Sequence, residues 1–271
     1  MKIVRFIDHE GQTRLGFDYK DGTAELLQGD LFGELKPLGT RTPVRSLLAP
    51  VSPPNILGIG LNYREHAIQM GGELPEYPVM FMKPTTAIAN PGEAILLPEC
   101  SRGRPEVDYE CELAVVIGKP ARDVSVADAL QYVFGYTAAN DVSARLWAKV
   151  SRTRGKCFDR FCPLGPTLVT ADEIPDPQSL ELSTTLNGFV MQKGNTADMI
   201  FSVAELVSYA SQDTTLLPGT VILTGTPPGA GVSRTPPVFL QPGDEVEIEV
   251  EKIGKLFNPV SAKATDGTTI A

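Results

Sequence analysis

Proline and glycine punctuate this chain from end to end, with 23 Pro and 25 Gly among 271 residues, leaving few stretches long enough for a helix of several turns. A helical bundle is therefore excluded, and short extended runs joined by turns are expected. Residues 2–7, 14–19 and 23–27 alternate in polarity between Gly and Asp, as half-buried strands do. Further strands are expected at residues 55–60, 109–117, 133–140, 180–187, 221–224 and 245–253 from their β-branched content. One helix is expected to open at Ser125, and another at the capping box Ser202-Val-Ala-Glu205, running to about Tyr209. The fold class expected is α+β and β-dominated, with a small β-rich N-terminal subdomain over residues 1–50. A Pro-rich linker at residues 48–54 would lead to a larger domain over residues 51–271.

The 24 Lys plus Arg against 33 Asp plus Glu give a net charge of −9, without a dense basic run, which argues against a nucleic-acid or membrane-surface partner. Neither a signal-peptide core nor an apolar stretch of the ~18 residues a membrane span needs is present, and a cytoplasmic location is expected. Cys100, Cys111, Cys157 and Cys162 form no C-x-x-C pair and read as free thiols. With only His9 and His66 as imidazoles, a His-rich zinc site is implausible, and chemistry would rest on carboxylates, Lys and one His.

The strongest local feature is Asp108-Tyr-Glu110-Cys-Glu112-Leu-Ala-Val-Val-Ile-Gly. On a strand, the period of two places Glu110 and Glu112 side by side just before an apolar run. They either face solvent or, at the edge of a core, require something positive beside them. Asp141, at the end of the strand expected over residues 133–140, offers a third carboxylate, and an all-oxygen triad suits Mg²⁺ or Mn²⁺ better than zinc. Spacing alone does not establish that the three converge. If they do, removing Glu110 should relieve repulsion, so Glu110→Ala should lose activity and stay folded.

Ordered motifs extend from about Pro54 to Val260: Gly60-Leu-Asn-Tyr63-Arg-Glu-His66, Pro78-Val-Met-Phe-Met-Lys83, the Asp108 stretch, Asn140-Asp-Val-Ser-Ala-Arg145, Gly155-Lys156-Cys-Phe-Asp159, Asn195-Thr-Ala-Asp-Met-Ile-Phe201, Gly225-Thr226-Pro-Pro-Gly-Ala-Gly231 and Asn258-Pro-Val260. Together they resemble the fumarylacetoacetate hydrolase family. The resemblance implies a mixed β-roll, a homodimer, and Mg²⁺ or Mn²⁺ held by Glu110, Glu112 and Asp141. It also implies an enzyme acting on small anionic 2-oxo or β-diketo acids, with the charge of an enolate stabilised by the metal. Within it His66 would activate water, Lys156 would stabilise an oxyanion, and Tyr63, Arg145 and Thr226 would bind substrate.

Two departures from the family pattern matter. Hydrolytic members carry a Glu three residues after the His, where this chain has Gln69, an amide that cannot supply charge unless Glu65, Glu73 or Glu76 does so when the glycine-hinged segment 62–77 closes. The stretch after Arg145 lacks the usual Gln and instead carries Lys149, Arg152 and Arg154, read here as a solvated face rather than as contacts to a more acidic substrate. The principal expectation is hydrolysis of a C–C bond in an acylpyruvate or fumarylacetoacetate-type acid. The alternative is oxaloacetate decarboxylation or tautomerisation, or isomerisation or hydration of a 2-oxo-dienoate, on the same site.

Overall fold

Strand Cys111–Ile117 organises the molecule, because all seven of its residues are buried. Cys111, Leu113, Val115 and Ile117 face a core shared with Leu182, Val246, Ile248 and Leu256 of a second sheet. Ala114 and Val116 face a separate core with Leu164, Leu168, Val221 and Leu223. A strand covered on both faces carries a continuous apolar run instead of an alternating one. The computed structural model describes residues 1–262, and residues 263–271, the end of the segment assigned to the larger domain, lie outside the described residues.

The larger sheet runs, in hydrogen-bonded order, Thr13–Lys20, Thr23–Gly29, Leu35–Leu48, Lys2–Asp8, Cys162–Thr170, Val133–Asn140, Cys111–Ile117, Val221–Leu223, Ile56–Gly60 and Val79–Lys83. Most pairings are antiparallel, but Val221–Leu223 runs parallel to Ile56–Gly60, and Ile95–Leu97 runs parallel to Gly254–Ala262 in the second, five-stranded sheet. The strand-dominated, mixed architecture is the one expected.

The first 50 residues supply four strands that continue the larger sheet, with Lys2 opposite Val169 and Ile3 opposite Leu168. The Pro-rich stretch after them is packed, not loose: Ala49 and Val51 are buried beside Ile56 and Leu164. Its prolines fix the chain in an extended path along the core.

Three short helices that the sequence did not announce flank the site: α1 (Arg64–Gln69), α2 (Arg145–Val150) and α3 (Arg152–Lys156). A fourth, α4 (Val203–Ala210), starts at the expected capping box, where Ser202 Oγ accepts from the Glu205 N–H and the Glu205 carboxylate accepts from the Ser202 N–H. The helix expected at Ser125 is corrected to a turn followed by one 3₁₀ segment, Ala129–Tyr132. The Ser125 hydroxyl donates to the Asp128 carboxylate at 2.7 Å and accepts from the Asp128 N–H, closing a local turn that competes with an α-helix.

Candidate metal and substrate site

Strand register does what spacing could not. Antiparallel pairing sets Cys111 opposite Asn140, and the Asp141 N–H donates to the Glu110 carbonyl at 2.8 Å. One carboxylate oxygen from each of Glu110, Glu112 and Asp141 then lies within 4.8 Å of the others. The two glutamates are only 5% and 1% exposed, which removes the solvent-facing alternative.

Such a cluster survives burial only if countercharge reaches it. Arg145 Nε donates to Asp108 at 2.6 Å and its Nη2 to Glu110 at 2.8 Å. Lys156 Nζ donates to Glu110 at 2.6 Å, to Ser143 Oγ at 2.8 Å and to Asp141. Lys83, fully buried at the end of Val79–Lys83, reaches the other Asp141 oxygen and the Phe161 carbonyl at 2.8 Å. The cations are shared unevenly. Burial raises the Glu110 pKa, but Arg145 and Lys156 outweigh it and hold this carboxyl well below its ordinary range. Among the described residues Glu112 has no ion pair, and its one hydrogen bond there comes from the Gly225 N–H at 2.7 Å. Burial, then Asp141 and Glu110, push its pKa well up. The expectation for Glu110→Ala is therefore corrected: it would take one carboxylate from Arg145, which keeps Asp108, and one from Lys156, which keeps Asp141, and Glu112 is the carboxylate whose removal relieves repulsion.

Gly225 is needed for that amide contact, since its φ is +99° and a Cβ there would come 2.7 Å from Asn62 Cβ. Asn62 in turn ties the start of the His66 segment down, donating to the Thr224 and Phe201 carbonyls at 2.8 and 3.0 Å.

A cavity of about 300 Å³ opens above the triad, lined by His66, Glu110, Glu112, Arg145, Lys156 and Thr226, with Lys149 and Arg152 as well. His66, carried in by α1, is buried and its Nδ1 has no partner. Burial lowers its pKa, against a smaller opposing pull from Glu110, and so favours the neutral ring. Gln69 does not face the ring: its Oε1 accepts from the Gly229 N–H at 3.3 Å. Glu65, Glu73 and Glu76 are exposed, so none of the suggested substitutes stands behind the imidazole.

Several assignments change on this geometry. Tyr63 belongs to the hydrophobic core and not to the cavity wall, fully buried beside Cys111. The Thr226 hydroxyl has spent its only proton on the Cys111 carbonyl and accepts from Gln192 Nε2 at 2.8 Å, so it can meet substrate only as an acceptor. All three Lys156 donors are engaged with the carboxylates and Ser143, making it a fixed charge in the wall. Sequence reasoning gave Lys83 no role, although it shares the buried parity of Phe81 on its strand. It read Lys149 and Arg152 as a solvated face, yet both line the cavity.

The triad fits a hard divalent cation on its own chemistry. Its donors are all carboxylate oxygens, and Glu112 lacks the countercharge that its neighbours have.

The fumarylacetoacetate (FAA) hydrolase C-terminal family model matches residues 55–261, and an Rv2993c-like N-terminal model matches residues 1–50. Oxaloacetate tautomerase Fahd2a, mitochondrial, from Rattus norvegicus is 45% identical over 262 residues, covering 95% of this chain and 79% of the relative. A solved 5-carboxymethyl-2-hydroxymuconate delta-isomerase from Mycobacterium smegmatis is 39% identical with TM-score 0.84, covering 97% of this chain and all of that one. A 2-hydroxyhepta-2,4-diene-1,7-dioate isomerase from Mycobacterium marinum is 40% identical with TM-score 0.83, covering 97% and 99%. The cytoplasmic expectation is corrected by the rat relative and its human counterpart, both described as mitochondrial. Apolar leaders were the signal sought, whereas mitochondrial targeting uses amphipathic, Arg-rich segments. With the model covering residues 55–261, relatives aligned along nearly the whole chain, and the motifs gathered on one carboxylate triad, this protein belongs to the fumarylacetoacetate hydrolase family.

Proposed function

We propose that this chain is a tautomerase or isomerase that moves a proton between carbon and oxygen in a small 2-oxo acid. The observation that carries this reading is the placement of His66: it is buried in the cavity wall, no carboxylate hydrogen-bonds its ring among the described residues, and Gln69 is turned to the Gly229 N–H instead. A neutral imidazole can take a proton from the carbon beside an oxo group and return it to oxygen, or the reverse. Sustained activation of water to cleave a C–C bond calls for a carboxylate hydrogen-bonded to the imidazole, and among the described residues none is: Glu110 acts on the ring only through its charge. The rat relative's name, an oxaloacetate tautomerase, and the two mycobacterial isomerases support the same reaction class.

Glu110, Glu112 and Asp141 would hold a divalent cation, Mg²⁺ or Mn²⁺, which when bound supplies Lewis acidity to the oxo and carboxylate oxygens of the substrate. Arg145 and Lys156 fix the wall carboxylates and keep positive charge against the developing anion. The Met70 side chain, also in the cavity lining, helps exclude water. A homodimer is proposed as the assembly: Val79–Lys83 ends the larger sheet and exposes Met80 and Met82. Light scattering on the eluting protein checks this, and a monomeric mass would refute it.

The deciding experiment follows the enol absorbance of oxaloacetate with Mg²⁺, with chelator as control, while products are identified. Chelator-sensitive enol–keto exchange without pyruvate release is the expected result. Cleavage of acetylpyruvate into two acids would overturn it in favour of hydrolysis, and loss of CO₂ in favour of a decarboxylase.

A further inference from the structure

Four cations line one wall of the cavity, and they are spent differently. Arg145 and Lys156, at its inner end, are bound to Asp108, Glu110 and Asp141. Lys149 and Arg152, nearer the surface, form no ion pair among the described residues although both line the same cavity. The four are spaced by four, three and four residues, and they stay on one wall even though Ser151 is extended between α2 and α3. The Arg152 guanidinium is seated against bare backbone: a Cβ on Gly60 would lie 2.1 Å from its Nη1. Gly60 itself has no positive φ to require glycine. The residue's small size therefore leaves room for the Arg152 head at the cavity wall.

Among the described residues the only acids in the cavity lining, Glu110 and Glu112, sit at its inner end. The wall thus runs from a carboxylate cluster suited to a cation to a pair of cations with no anion. A ligand matching that gradient carries a chelating 2-oxo-carboxylate head and a second carboxylate at its far end. We propose that Lys149 and Arg152 are specificity-determining residues that read the distal carboxylate of a 2-oxo dicarboxylic acid, with Gly60 making room for the guanidinium. The inference rests on the reading of the site as one for 2-oxo acids, and adds which residues of this chain would answer a second carboxylate. A monocarboxylic acid with an apolar tail would leave both cations unanswered and gain nothing from them.

Two ligands of equal chain length separate head from tail: 2-oxoglutarate, and 2-oxopentanoate, in which a methyl replaces the distal carboxylate. Their dissociation constants are measured by calorimetry on the full-length protein with Mg²⁺. The wild-type protein is expected to prefer the diacid by about 10-fold or more, and Arg152→Gln to remove most of that preference while leaving the monoacid unchanged. Lys149→Gln should remove a smaller part, Arg152→Lys should restore some of it, and Gly60→Ala should resemble Arg152→Gln by displacing the head group. Raising ionic strength should erode the preference in the wild type more than in Arg152→Gln. In turnover of a dicarboxylic substrate the same variant should raise KM with kcat nearly kept. Equal affinity of the wild type for both ligands, or an undiminished preference in the double variant, overturns the inference and leaves the proposed function standing. Binding of neither ligand overturns both.

Discussion

The inner and outer ends of the cavity carry the same kinds of side chain under opposite conditions. At the inner end Lys156 and Lys83 are buried and Arg145 is mostly covered, and each is hydrogen-bonded to at least one carboxylate. At the outer end Lys149 and Arg152 are exposed and form no ion pair among the described residues. Burial turns a cation into part of the fold, since removing its partner leaves an uncompensated charge in a poor solvent, whereas an exposed cation is solvated and its loss costs almost nothing. Inner charges therefore tie chemistry to stability, and outer charges are free to select a ligand.

The comparison can be broken first at the triad. Glu110→Ala and Glu112→Gln should each lower kcat/KM by about 10³-fold or more if both carboxylates serve the metal and substrate. Their stabilities should diverge: Glu110→Ala should cost about 2–3 kcal/mol by taking one of two carboxylate partners from Arg145 and from Lys156, while metal-free Glu112→Gln should unfold at the same urea concentration as the parent or higher. Equal losses in urea would show that the uneven sharing of countercharge is wrong. Lys83→Met tests the same idea without touching the cavity lining, and should destabilise by about 3 kcal/mol because Asp141 loses one of its two cations. A folded, equally stable Lys83→Met protein would make that ion pair dispensable. Gly225→Ala, which forces a Cβ against Asn62 at an unfavourable φ, should cost about 2 kcal/mol and loosen the amide that holds Glu112. Smallest in energy is a chemical contrast. At pH 8 a thiol reagent should label Cys100 and Cys157 promptly and leave Cys111 and Cys162 unreacted in the native protein, because both are buried and burial pushes the Cys162 thiol up to about 12. Prompt labelling of all four would mean that the interior opens readily.

Local patterns were legible wherever a residue's neighbours in sequence were also its neighbours in space. Alternation brought Glu110, which lies just before the strand, beside Glu112 within it, the apolar run after them gave the buried strand, and the Ser202–Glu205 box started α4. The helix expected at Ser125 failed on an equally local competitor, the Asp128 carboxylate. Lys149 and Arg152 are exposed, as expected, and also line the cavity, two conditions that look the same in a sequence. Tyr63 was misplaced because the motif containing it winds into a helix that turns His66 into the cavity while the tyrosine packs in the core.

By itself the sequence determined a strand-rich chain with a carboxylate pair at the mouth of a buried strand, for the period-two geometry of extended backbone needs no partner to be stated. Only the tertiary structure decided that Asp141 joins them, that Glu110 takes the cations and Glu112 does not, and that the Thr226 proton is already committed. Those facts depend on strand register and on which donors reach a buried oxygen, and both are fixed by contacts between residues 30 or more positions apart.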